Sequence, residues 1–106
     1  MEEKRHTSIQ YENELQKVKD SLIYMAALVE QAIAKDVDAL LRKDSLLAEK
    51  VMAEDDQIDA LDVEIEEKCI RLLALRQPAA KDLRFITTAI KINGHLERIG
   101  DMASNV

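Results

Sequence analysis

The sequence predicts an all-α fold, an antiparallel up-down-up bundle of three long helices. Composition is the first reason: Ala, Leu, Ile, Glu, Lys and Asp dominate the 106 residues, which include only two glycines and one proline. Apolar residues also recur at intervals of three and four along nearly the whole chain, and no segment shows the apolar-polar alternation of a strand. With 47% hydrophobic residues, the chain can supply a core.

The first helix is predicted over residues 9–42, with Ser8 as its N-cap. Its apolar stripe contains Leu15, Val18, Leu22, Met25, Val29 and Ala32, and then drifts through Ile33, Val37, Leu40 and Leu41. Residues 1–7 lack this periodicity. We therefore expect a frayed N-terminus ahead of a single domain over residues 8–106.

The second helix is predicted over residues 45–75 and the third over residues 79–104. Asp44 or Ser45 caps the second helix, whose apolar stripe is Leu47, Val51, Ile58, Leu61, Ile65, Cys69 and Leu72. Pro78 separates the two helices, because proline disfavours helix in the residue before it and fits a first turn. Such short links make consecutive helices antiparallel neighbours. Gly94 and Gly100 are expected where another backbone comes close.

Two acidic residues lie on the apolar side of the third helix. The stripe runs through Leu83, Ile86 and Ile90, and Glu97 and Asp101 lie about 20° either side of its line through Ile90. An unpaired buried charge is costly, so these carboxylates need a partner. The second helix carries a similar pair with the same four-residue spacing, namely Asp55 and Asp59.

The hairpin register brings the two pairs together. With the turn centred near Gln77, antiparallel packing aligns residues whose numbers sum to about 155. Four converging carboxylates repel one another unless a cation or protons neutralise them. Oxygen ligands favour hard divalent cations, and carboxylate-rich bundles also bind iron. The sequence thus predicts a divalent or iron-type metal site at Asp55, Asp59, Glu97 and Asp101. The alternative is that these acids pair with nearby cations or face solvent.

Other candidate groups have simpler interpretations. His95 projects away from Glu97 and is expected on the surface, and Cys69 is expected in the core. A basic set could line an anion site, but is better explained as surface charge; it comprises Arg76, Arg84, Lys91 and Arg98. Neither a Ser–His–Asp set nor an activated cysteine is evident, so we expect no enzymatic activity.

The charge pattern limits the classes of partner. The net charge is −6, and residues 44–68 alone hold ten acids against two lysines, a local charge of −8. Nonspecific nucleic-acid binding requires a basic surface, so we expect no nucleic-acid partner. Residues 1–10 do not resemble a signal peptide, and no apolar run approaches the roughly 20 residues of a membrane span. The chain is therefore expected to be cytoplasmic.

Several segments resemble the PhoU family of phosphate-transport regulators. They are residues 55–59, Cys69–Pro78, Asp82–Arg84 and Glu97–Asp101, with Asn105 beyond. Members of that family contain two tandem three-helix repeats, each with an acid-xxx-Asp motif on two helices that binds metal, including multinuclear iron clusters. The resemblance implies the same role for the two acid pairs identified above. It covers a single repeat, so the chain is either a half-length member or a fragment.

The resemblance also implies a function. It suggests a non-enzymatic adaptor that represses phosphate uptake and the phosphate-starvation response, and hence regulates transcription. The implied partners are the phosphate ABC transporter ATPase and a sensor histidine kinase, with membrane proximity arising only through them. A lone repeat would also expose apolar surface, so we expect a homo-oligomer, a dimer in the simplest case. The alternatives are a carboxylate-bridged metal-binding protein or metalloenzyme, and a metal-free helical interaction module.

Overall fold

The computed structural model describes residues 2–43 and 45–104, with side chains described at 8–43, 46, 49–50 and 54–103. Three helices account for these residues except Lys43 and residues 77–79: α1 (Glu2–Arg42), α2 (Ser45–Arg76) and α3 (Ala80–Ser104). Each helix packs against both others, and the bundle measures 62 × 21 × 15 Å. The predicted all-α three-helix architecture is confirmed. Within the described ranges, no helix combines the length and apolarity that a bilayer crossing requires.

The N-terminal helix is longer than predicted. It begins at Glu2 rather than near residue 9, so the expected frayed segment over residues 1–7 is helical from Glu2 onward. Ser8 is therefore an internal helical residue and does not act as an N-cap. Ser45 is the first residue of α2, whereas Asp44, the other candidate cap, lies outside the described residues.

Each link between helices contains a residue with left-handed backbone. Lys43 follows α1 with φ 54°, and Gln77 follows α2 with φ 45°. A left-handed residue just after a helix ends it by turning the chain away from the helix axis. Pro78 comes next and cannot continue the helix. The amide of Leu83 then donates to the carbonyl of Ala79 at 2.8 Å, which begins the first turn of α3.

The core runs along the bundle axis and uses the predicted stripes of α1 and α2. Its buried members are Val18, Met25, Val29 and Ala32 from α1, Ile58, Ile65, Cys69 and Leu72 from α2, and Ile86 and Ala89 from α3. Cys69 is fully buried, as predicted. The predicted stripe members Leu47 and Val51 are among the residues whose side chains are not described.

The apolar residues through which the stripe was predicted to drift at the end of α1 do not belong to the core. Ile33, Val37, Leu40 and Leu41 are exposed, by 39% to 77%, whereas Ala39 is buried. The buried line of α1 therefore continues from Ala32 to Ala39 without drifting.

The centre of the α3 stripe also differs from the prediction. Leu83 is 43% exposed, and Ile90 is only partly buried. The most buried line instead passes through Ile86, Asn93 and Gly100, which are seven residues apart. Glu97 and Asp101 therefore lie on the flank of the buried face, at intermediate exposure, and not at its centre.

Neither glycine of α3 is needed for close backbone contact. A Cβ added at Gly94 would meet nothing within 4 Å. At Gly100 it would meet side-chain atoms of Ile58 at 3.5 Å and Val29 at 3.8 Å, which are ordinary contacts with side chains. The expected close approach of another backbone is therefore wrong at both positions.

Replacing Gly94 by Ala should stabilise the protein. Gly94 is exposed in a helix interior with ordinary helical backbone, so alanine reduces the entropy of the unfolded chain without creating a clash. We expect the free energy of unfolding to rise by about 0.5–1 kcal/mol in urea titrations. A decrease in the free energy of unfolding would contradict this expectation and would show that position 94 requires glycine.

Candidate metal centre

Three aspartates from two helices converge near the end of the bundle where α3 terminates. Asp55 and Asp59 stand one turn apart on α2, and Asp101 lies opposite them on α3. Each offers a carboxylate oxygen within 4.8 Å of the others. Asp59 is exposed, whereas Asp55 and Asp101 are half-buried, so the cluster opens to solvent on one side.

The fourth predicted residue, Glu97, lies next to this cluster. It is hydrogen-bonded to Asp101, and the structure does not place it in the group of three convergent oxygens. That hydrogen bond, followed by burial and by the negative charges of Asp101, Asp62 and Asp59, raises the pKa of Glu97 to about 7. Near neutral pH, protonation of Glu97 therefore offsets part of the repulsion.

One carboxylate oxygen of Asp55 accepts no hydrogen bond. Its Oδ1 atom is buried and has no partner. Burial, and next the charges of Asp59 and Asp101, raises the pKa of Asp55. A buried carboxylate oxygen without a donor is costly, and a cation is the group that would satisfy it best. The oxygen donors present fit Mg²⁺, Mn²⁺, Ca²⁺ or iron by ligand type.

A buried amide ties the two helices together next to the acids. Asn93 is 2% exposed, and its Nδ2 donates to the Asp62 carbonyl at 3.0 Å and to Asp62 Oδ1 at 2.7 Å. The other side-chain atom, Asn93 Oδ1, is buried without a partner. The numbers 93 and 62 sum to 155, so the predicted register between α2 and α3 is confirmed at this level.

Sequence reasoning missed the Asn93–Asp62 pair. The signal was present, because Ile86, Asn93 and Gly100 share one heptad line and the register pairs 93 with 62. Asp62 is itself part of the electrostatic environment of the cluster. Burial raises its pKa, as do Glu66 and Asp59, whereas the hydrogen bond from Asn93 lowers it.

Acidic groups of α1 and α2 extend the cluster toward the end of the bundle. Lys35 is ion-paired with Glu54 Oε1, while Glu54 Oε2 and Asp36 Oδ2 are buried without hydrogen-bond partners. Burial and the charge of Glu54 raise the pKa of Asp36. The first helix thus contributes both a cation and a carboxylate, which the predicted α2–α3 site did not include.

The remaining predicted groups stay apart from this cluster. His95 is exposed, as expected. Arg76 forms a forked ion pair with Glu14 of α1, through Nη2 at 2.9 Å and Nε at 3.3 Å. The other basic side chains considered for an anion site, Arg84, Lys91 and Arg98, are exposed.

The raised pKa of Glu97 predicts a pH dependence of stability in the metal-free protein. Between its ordinary pKa of 4.5 and about 7, the folded state keeps a proton that the unfolded state releases. This contribution is fully present below pH 4.5 and is lost as the pH rises through 7. In urea titrations with chelator, the free energy of unfolding should fall between pH 5 and 8 by about 1–2 kcal/mol more for wild type than for Glu97→Gln. The difference is this modest because solvent screens a part-exposed group.

The exposed Glu49→Gln is a matched control, since it removes one carboxylate outside the cluster. It should follow the wild-type pH profile. Equal slopes for wild type and Glu97→Gln would contradict the raised pKa of Glu97.

Comparisons with known proteins identify the family. The model of the PhoU domain matches residues 22–106. A phosphate-specific transport system accessory protein PhoU homolog from Aquifex aeolicus is 50% identical over 93 residues, 88% of this chain and 42% of the relative. The homolog from Pseudomonas aeruginosa is 48% identical over 101 residues, and PhoU of Escherichia coli K12 is 36% identical over 102 residues. These matches cover 95% and 96% of this chain and 42% of each relative.

The chain thus spans about two fifths of the length of these curated relatives. The domain match and the three-helix architecture agree with the resemblance to the PhoU family that the sequence segments showed. The chain belongs to the PhoU family.

Proposed function

We propose that this protein regulates phosphate transport and phosphate homeostasis as a cytoplasmic, non-enzymatic adaptor. It lowers phosphate uptake and phosphate-starvation signalling through contacts with other proteins. The observation that carries this proposal is the PhoU-domain match over residues 22–106, together with relatives named as accessory proteins of the phosphate-specific transport system. The proposed partners are the ATPase of the phosphate ABC transporter and a phosphate-sensing histidine kinase.

The proposal includes a metal centre at the acidic cluster. Asp55, Asp59 and Asp101 supply the primary ligands, and Glu97 supplies a fourth carboxylate after losing its proton. Support comes from the oxygens converging within 4.8 Å and from the buried, unpartnered Oδ1 of Asp55. A bound cation would neutralise the repulsion among these acids and clamp α2 to α3. The stoichiometry of binding distinguishes a single ion from a multinuclear centre.

Two other functions use the same geometry differently. In a carboxylate-bridged metal store or metalloenzyme, the metal bound at the cluster would itself be the basis of the function. The convergence of three aspartates supports metal binding but not catalysis. A metal-free interaction module would use only the helical surfaces. Metal binding and partner binding, measured separately, distinguish these functions from the adaptor.

Metal binding should depend on the convergent aspartates. We expect Asp55→Ala and Asp101→Ala each to weaken Mn²⁺ or Fe²⁺ binding roughly tenfold or more in calorimetric titration, because each removes a ligand. At a free metal concentration 100 times the dissociation constant, wild type should gain about 2.7 kcal/mol of stability. Asp56→Ala is the matched control, since Asp56 is exposed and adjacent but outside the cluster. Equal binding by all variants would exclude this site.

Partner binding tests the regulatory role directly. Purified phosphate transporter ATPase and the cytoplasmic part of the sensor kinase should each be captured by the immobilised chain. If the metal orders the adaptor surface, capture should increase several-fold with Mn²⁺ in wild type and not in Asp55→Ala. Capture of neither protein, with or without metal, would contradict the adaptor role, while metal binding without capture would favour the metal store.

A further inference from the structure

A groove of about 520 Å³ lies between α1 and α3, on the side of the bundle opposite α2. Its floor is apolar and contains two layers of side chains. Leu15 and Phe85 form one layer, and Leu22 and Ile92 form the other. On each helix the two residues are seven apart, so the layers are separated by about 10.5 Å. Ile92 is 43% exposed, so the floor is accessible from outside.

The rim of the groove is positively charged, in contrast to the protein as a whole. Lys19, Lys81 and Arg84 line it, and Asp82 is the one carboxylate among the described residues that do so. Asp82 already accepts a hydrogen bond from the Tyr11 hydroxyl at 2.9 Å. In a chain of net charge −6, this is a local cationic surface over an apolar floor. It favours an occupant with apolar side chains and carboxylates.

The outer face of α2 has this chemistry. Val63 and Ile70 are exposed by 52% and 53% although both are aliphatic, and they lie seven residues apart. Glu67 lies one turn beyond Val63, about 40° to one side of the line that joins Val63 and Ile70, and Asp56 precedes Val63 by two turns on that line. We call Asp56, Val63, Glu67 and Ile70 the α2 stripe.

The spacings of the groove and of the α2 stripe correspond. The two aliphatic residues of the stripe are about 10.5 Å apart, which equals the separation of the two floor layers. With Val63 on the Phe85 layer, Glu67 comes level with Lys19, which lies between the layers. Lys19 is held there, with its ammonium 5.1 Å from the centre of the Phe85 ring. Asp56 then falls at the Lys81 end of the groove.

We propose that the groove binds the α2 stripe of a second copy of this chain. The apolar layers receive Val63 and Ile70, while Lys19 and the cations near the start of α3 pair with the acids of the stripe. This contact specifies the self-association expected from the sequence and is independent of the phosphate-regulatory role. The two surfaces differ, so each copy keeps a free groove or a free stripe, and the contact propagates into rings or chains.

This asymmetry provides a sharp experiment. Wild type should show a mass that rises above 12.0 kDa with concentration in analytical ultracentrifugation. Lys19→Glu/Arg84→Glu blocks the groove, and Val63→Arg/Ile70→Arg blocks the stripe. Each double variant alone should associate at least tenfold more weakly than wild type. Their equimolar mixture should form a discrete 1:1 dimer, because one partner retains the stripe and the other retains the groove.

Lys17→Glu/Lys50→Glu is the matched control for the groove variant, with the same charge change at exposed positions outside both surfaces. It should associate as wild type does, and circular dichroism melting should confirm that every variant is folded. A wild type that stays monomeric up to millimolar concentration overturns the proposal and leaves the groove to an acidic helix of another protein. Association retained by both blocked variants, or a monomeric mixture, also overturns it.

Discussion

Asn93 donates both hydrogens of one amide nitrogen to Asp62, once to the backbone carbonyl and once to the carboxylate. The bond lies inside the bundle, where water cannot replace it, so sliding α3 along α2 would leave a buried amide unsatisfied. It therefore holds one register between these helices. The meeting of Asp101 with Asp55 and Asp59 depends on that register, because a shift by one turn would move Asp101 about 5.4 Å along the helix axis.

The acidic cluster costs stability in the metal-free protein. Several of its carboxylates are buried enough to have raised pKa values, and buried oxygens of Asp36, Glu54 and Asp55 lack hydrogen-bond partners. A bundle selected for stability alone would place apolar residues there. The buried apolar core beside and beyond the cluster, which includes Val18, Ile58 and Ile86, offsets this cost. Local violations of the rule that buried polar atoms have partners are the pattern expected where a stable scaffold carries a functional site.

Much of the fold could be predicted because helix periodicity, Pro78 and the short links all point to the same bundle. The register followed from placing one turn, and the Asn93–Asp62 bond agrees with it. The phase of α3 was harder to predict, because its partly exposed apolar residues, such as Leu83 and Ile92, flank a buried line on which only Ile86 is large and apolar. Asp62 was hidden for a different reason: it is one acid in a segment with ten, and only a three-dimensional contact distinguishes it from its neighbours.

The bundle is a narrow rod about 62 Å long, so groups near its two ends are far apart. Along α3, Arg84 and Asp101 are separated by about 25 Å, roughly three times the screening length in physiological salt. A change of charge at the acidic end is therefore not felt electrostatically at the start of α3. Any influence must travel mechanically, as a rotation or translation of a whole helix against its neighbours. The buried amide of Asn93 lies between the two ends, so a movement of α3 along α2 would have to break its hydrogen bonds to Asp62.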